Sequence, residues 1–124
     1  MLKYLAIAAF AFGSILSAQS FSVGQEVMAY WEKAKLYYVG TVVEIDSTVK
    51  GGGYRIVFAD NDSGVIPSAR VRTLKLDAGT KVLARWSDGK MYPGTIAKVV
   101  GRAYFINFDD GDKGWVSIAG IAQQ

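Results

Sequence analysis

From residue 23 onward the apolar positions come in short runs rich in Val, Ile, Tyr and Phe, broken by glycine and aspartate. That pattern predicts small antiparallel strands joined by tight turns, and no segment has the period of a helix. In the second half the runs Lys81 to Trp86, Tyr92 to Val100, Ala103 to Phe108 and Lys113 to Ser117 are strands, with a short closing strand near Gly120 and Ile121. Ser87-Asp88-Gly89, Gly101-Arg102 and Asp110-Gly111 mark the turns between them, and each supplies a residue that tolerates positive φ. In the strand from Ala103, Tyr104, Ile106 and Phe108 alternate with Phe105 and Asn107, so one face is apolar and the other mixed.

The same pattern is written twice. Val23-Gly24, Val27, Ala29, Trp31, Tyr38, Gly40-Thr41-Val42, Tyr54, Phe58, Asp60, Asp62 and Gly64 recur as Ala78-Gly79, Val82, Ala84, Trp86, Tyr92, Gly94-Thr95-Ile96, Tyr104, Phe108, Asp110, Asp112 and Gly114. The offset shrinks from 55 at the tryptophans to 54 at the tyrosines and 50 at the phenylalanines, so the copies differ by short loop insertions. Lys50-Gly51-Gly52-Gly53 is the longer loop of the first copy. Five short strands with bent hairpins, twice over, predict an all-β chain of two tandem five-stranded SH3-like barrels, closed so that strand edges are removed. The segment from Ile66 to Leu76 joins them: Pro67-Ser68-Ala69 opens a helical turn, and Arg70 to Leu74 finishes the first barrel. Units this small hold only modest cores, so each is expected to lean on the other.

The first twenty residues differ in kind. Lys3 precedes an almost wholly apolar run from Tyr4 to Leu16, followed by Ser17-Ala18-Gln19-Ser20. This predicts a signal peptide over residues 1–20, cut before Phe21 or after Ala18, and a secreted or periplasmic protein. A retained anchor is the alternative, although the run falls short of the roughly 20 residues of a membrane span. The barrels then occupy residues 21–76 and 77–124.

Composition narrows the chemistry. The chain has no cysteine and no histidine, which removes disulfides, thiolate metal sites and the commonest general base. The formal net charge is +3 and bases alternate with acids, so nucleic acid is not an expected partner. The Asp109-Asp110-Gly111-Asp112 and Asp60-Asn61-Asp62-Ser63-Gly64 segments lack the distal glutamate of a calcium loop and read as hairpin turns. No enzyme, metal or cofactor is expected.

The string ARWSDGKMYPGTI from Ala84, with YFINFDDGDKGWV from Tyr104, resembles the Tudor domain family; AYWEKAKLYYVGTV from Ala29, with YRIVFADNDSGVI from Tyr54, is similar to it in weaker form. The resemblance implies a ligand-binding barrel without catalytic activity, many of whose relatives hold a methylated lysine or arginine in an aromatic cage. Carried onto this chain, it implies a cage of Trp86, Tyr92, Phe108 and Trp115 with Asp110 and Asp112 at the rim. Trp31, Tyr38, Phe58 and Asp60 form a secondary set, made incomplete by Val65 and Ala59 where the second copy has Trp115 and Asp109. The ligand so implied is a cationic or methylated side chain, a peptide carrying one, or a quaternary ammonium. Aromatics also fill small cores, and an exposed platform stacking on cell-wall glycan or peptide remains open.

Overall fold

A computed structural model describes residues 20–124; the expected signal peptide, apart from Ser20, lies outside the described residues. The first copy forms β1 (Glu26–Trp31), β2 (Leu36–Asp46), β3 (Gly53–Phe58), β4 (Ser63–Pro67) and β5 (Val71–Thr73), with a 3-10 turn at Ser68–Arg70 before β5. The second forms β6 (Lys81–Arg85), β7 (Met91–Val100), β8 (Ala103–Phe108), β9 (Lys113–Ser117) and β10 (Ile121–Gln123), with a 3-10 turn at Ile118–Gly120. Every strand expected from the runs is present. The second 3-10 turn carries none of the proline signal that marked the first.

The duplication reaches the level of single torsions and hydrogen bonds. Gly24 and Gly79 have φ of 93° and 92°, and each donates its N–H over 2.7 Å to the carbonyl of Val42 or Ile96. β2 is bulged between Val42 and Glu44, β7 between Ile96 and Lys98, which bends each long strand so that it serves both sides of its barrel. Gly40 pairs with Phe58 and Gly94 with Phe108. A Cβ on Gly94 would stand 2.7 Å from Ile106 Cγ2 and 2.9 Å from the carbonyl oxygen of Asn107, so only glycine lets the strands cross this closely.

Hydrogen bonding does not close the barrels. Among the described residues β4 pairs only with β3 and β9 only with β8, so each keeps one edge unpaired there, where the 3-10 turn carries the chain across the gap. The expected closure therefore gives way to an open barrel, because a three-residue turn between β9 and β10 leaves no length for a ladder between them.

The copies share one sheet. β10 pairs with β6 of its own barrel through Ile121↔Ala84 and with β2 of the other through Ala122↔Tyr38. Ile121 and Ala122 are fully buried at this seam. β1 is buried on both faces: Val27 and Ala29 belong to the first core, whereas Met28, with Val39, packs into the second. Arg102 donates to Glu26 across the same junction, an exposed pair that contributes at most about 1 kcal/mol. The edge of β2 that receives β10 has its counterpart in β7, where Pro93 stands in place of Val39. Val39 accepts from the Ala59 N–H, and Pro93 accepts from the Asp109 N–H.

The shared seam predicts joint unfolding. Ile121→Ala should cost about 2–5 kcal/mol and lower amide hydrogen-exchange protection in both barrels; loss confined to the second would mean they open independently. Gly94→Ala should cost about 1–3 kcal/mol, since backbone must shift to admit the methyl, as a thermal melt would register.

Candidate functional site

Each Trp of the repeat ends or follows the first strand of its barrel, and the turn after the third strand brings a buried Phe beneath it. Trp86 meets Phe108 edge-on, with ring centroids 5.1 Å apart and planes at 80°; Trp31 meets Phe58 at 5.1 Å and 72°. The phenylalanines are buried and form the floor, while the tryptophans and Tyr38 and Tyr92 are half-buried and form walls. The hairpins that follow are built alike: Phe58 and Phe108 donate N–H to the carbonyls of Asp62 and Asp112, and Asp60 and Asp110 accept from the N–H of Asp62 and Asp112. Asn61 and Gly111, with φ of 78° and 99°, make the turn tight enough to hold these acids beside the rings.

In the second barrel Trp86, Tyr92, Phe108, Asp110 and Asp112 line one concavity of about 190 Å³. Asp88 joins them. The Tyr92 hydroxyl donates to Asp88 Oδ2, and the Lys90 N–H donates to Oδ1 over 2.9 Å. The Tyr92 hydrogen bond, reinforced by that amide, holds the Asp88 carboxyl below its ordinary value of 3.8, and the same bond pushes the Tyr92 phenol above 10.0. Three carboxylates and no basic side chain line this pocket.

Trp115 lies elsewhere. In β9 the inward residues are Gly114 and Val116, so Trp115 faces out, 52% exposed, against Phe105 at 5.1 Å. It lines a different groove with the outer side of Trp86 and with Arg85. The expected fourth wall is therefore absent from the concavity; Gly114 stands next to Trp86 instead, where a Cβ would lie 3.5 Å from the indole. With Trp115 outside, Val65 no longer makes the first copy incomplete.

The first-barrel set of Trp31, Tyr38, Phe58 and Asp60 also shares one concavity, of about 200 Å³, together with Asp62. Its far wall comes from the second barrel, through Arg85, Ile118 and Ala119. Ala34 lies where the second pocket has Asp88. This pocket thus sets two carboxylates against one guanidinium. Among the described residues no cluster of acids could hold a metal ion.

Such a pair of barrels, each with Trp, Tyr and Phe around an acidic hairpin, defines a Tudor-type binding fold. The family of the DNA repair protein Crb2 Tudor domain matches residues 23–74. The crystal structure of the Crb2 tandem tudor domains superposes on 86% of this chain and 82% of its own, with TM-score 0.62 at 15% identity, a likeness of fold. Over 50 residues, 39% of this chain, the sequence is 46% identical to metal-response element-binding transcription factor 2 of Mus musculus and of Homo sapiens. Those residues span 8% of the length of each relative. A DNA repair protein and a transcription factor work on DNA inside the cell, and these relatives overturn the secreted or periplasmic location expected from residues 1–20. That expectation rested on Lys3, the apolar run from Tyr4 to Leu16 and the small residues before Phe21.

The Asp88 and Tyr92 pair has a definite pH signature. A carboxyl depressed in the fold contributes stability above its unfolded pKa and loses it as pH falls through the depressed value; the raised phenol contributes below 10.0 and loses it as pH rises through its own. In a carboxyl NMR titration Asp88 should titrate below 3.8, and Tyr92→Phe should move it back up; an unmoved Asp88 would show that the hydroxyl does not hold it.

Proposed function

We propose that this chain is a non-catalytic binding module that takes a cationic or methylated side chain of a peptide or protein, or a quaternary ammonium, in the aromatic pocket of its second barrel. The units proposed are residues 21–76 and 77–124, with Trp86, Tyr92 and Phe108 as ring walls and floor and Asp88, Asp110 and Asp112 as the acidic rim. The supporting observation is the sign of the rim: rings at near right angles, three carboxylates and no base. An alkylated ammonium sheds water readily and is attracted by ring faces at about 0.5–2 kcal/mol per contact. A carboxylate adds Coulomb attraction and, where an N–H remains, a charge-assisted hydrogen bond. The cell-wall alternative depended on export and is not carried forward.

A second reading places the ligand in the first-barrel pocket. It is favoured by the family match over residues 23–74 and by the wall that the second barrel lends to that pocket. Arg85 opposes a cation there, which is why the second pocket is preferred for one.

Intrinsic tryptophan fluorescence, titrated with a trimethyl-lysine peptide and its unmodified counterpart, tests the reading. Tyr92→Ala should weaken binding by about 1 kcal/mol or more, roughly fivefold in Kd, with Tyr38→Ala costing less. A larger loss at Tyr38 would move the site to the first barrel, and equal affinity for both peptides would remove the methyl-dependent reading altogether.

A further inference from the structure

The outward face of β7, β8 and β9 differs from its counterpart in the first barrel in a way that no packing need explains. Across the three strands the register aligns Lys98, Phe105 and Trp115 in one row. The matching row across β2, β3 and β4 is Glu44, Arg55 and Val65, in which Arg55 Nε and Glu44 Oε1 form an ion pair at 3.2 Å. The duplication thus supplies its own control: a charge-neutral row in one copy is a cation and two rings in the other. Lys98 Nζ lies 5.5 Å from the Phe105 ring centroid, and Phe105 is tilted at 57° to Trp115, which leaves half of the Trp115 side chain to solvent.

A second cation lies close to this row. Lys113 lies on the same outward face of β9, one register step from Trp115, and is exposed. Among the described residues neither Lys98 nor Lys113 joins an ion pair. Asp112, the acid next in sequence, lines the aromatic pocket instead. At the corresponding first-barrel positions Ser63 replaces Lys113 and Asp46 replaces Val100, so that face carries a net negative charge and no ring. The balanced charge of the whole chain conceals this local asymmetry.

We propose that the outward face of β7, β8 and β9 is a second binding surface, and that its ligand is a single-stranded nucleic acid, one base stacking on Trp115 while Lys98 and Lys113 take flanking phosphates. An exposed indole accepts any base face, and stacking of this kind contributes comparably for all four bases. Two lysines without acidic partners supply the anion attraction that an uncharged or cationic partner would not use. Lys98, Phe105, Lys113 and Trp115 lie outside the lining of the aromatic pocket, so the proposal stands whether or not that pocket binds a methylated side chain.

The test uses the whole chain and fluorescence anisotropy of a labelled oligothymidine of about 12 nucleotides at low salt. Binding should weaken with salt at a log–log slope near −1.4, the value for about two phosphate contacts on a single strand. Trp115→Ala should lower affinity about fivefold or more and Trp115→Phe much less, while Lys98→Glu with Lys113→Glu should remove binding. Because Trp115 is half exposed its loss should leave the circular dichroism spectrum unchanged, and Tyr92→Ala should leave oligothymidine binding intact. The proposal is overturned if oligothymidine does not bind, or binds equally well after Trp115→Ala. It is likewise overturned if polyglutamate competes with the same dependence on Trp115, which would assign an acidic peptide, or if Trp115→Ala instead abolishes a concentration-dependent dimer.

Discussion

The three residues of β10 hold the molecule together. This strand lies between β6 and β2, so the segment that completes the second barrel also extends the sheet of the first. The burial of Ile121 and Ala122 supplies apolar contact that neither small barrel could generate alone. β1 shows the same sharing from the other side, since Val27 and Ala29 face one core and Met28 the other. The walls of the first aromatic pocket follow from this arrangement, because the seam carries Arg85, Ile118 and Ala119 up against Trp31 and Tyr38.

The two pockets begin from one blueprint and end with different electrostatics. Ring geometry is nearly conserved between the copies, at 5.1 Å in both. What differs is the neighbour: a hairpin aspartate in the second pocket, and a guanidinium from the adjoining barrel in the first. The placement of one barrel against the other therefore changes the chemistry of a site while its own Trp, Tyr and Phe stay the same.

Much of the fold was legible because alternation, turn residues and a repeated text all pointed to the same strands. The grouping of Trp86, Tyr92 and Phe108 came from the family resemblance, and the repeat extended it to Trp31, Tyr38 and Phe58. Trp115 was misplaced by family analogy, although the two-residue period of β9 carried the correction: if Val116 faces the core, Trp115 cannot. Asp88 was visible as a hairpin residue, but its bond to Tyr92 spans four positions and belongs to no turn pattern. Arg85, Ile118 and Ala119 could not be read as lining the first pocket, since a three-residue seam strand of Ile-Ala-Gln carries no periodicity from which its neighbours could be deduced.

Pro93 gives the tandem a direction. In a strand, the N–H and C=O of one residue point to the same edge, and the carbonyl of Pro93, like that of Val39, points to the edge that β10 occupies in the first barrel. Proline offers no N–H there. The first copy can thus receive a strand from its successor, whereas the second presents a blunted edge to any further copy. A duplicated unit with identical edges would be free to add barrel upon barrel, as an open-ended polymer does; the imino acid at Pro93 removes a donor that such an addition to the second barrel would use.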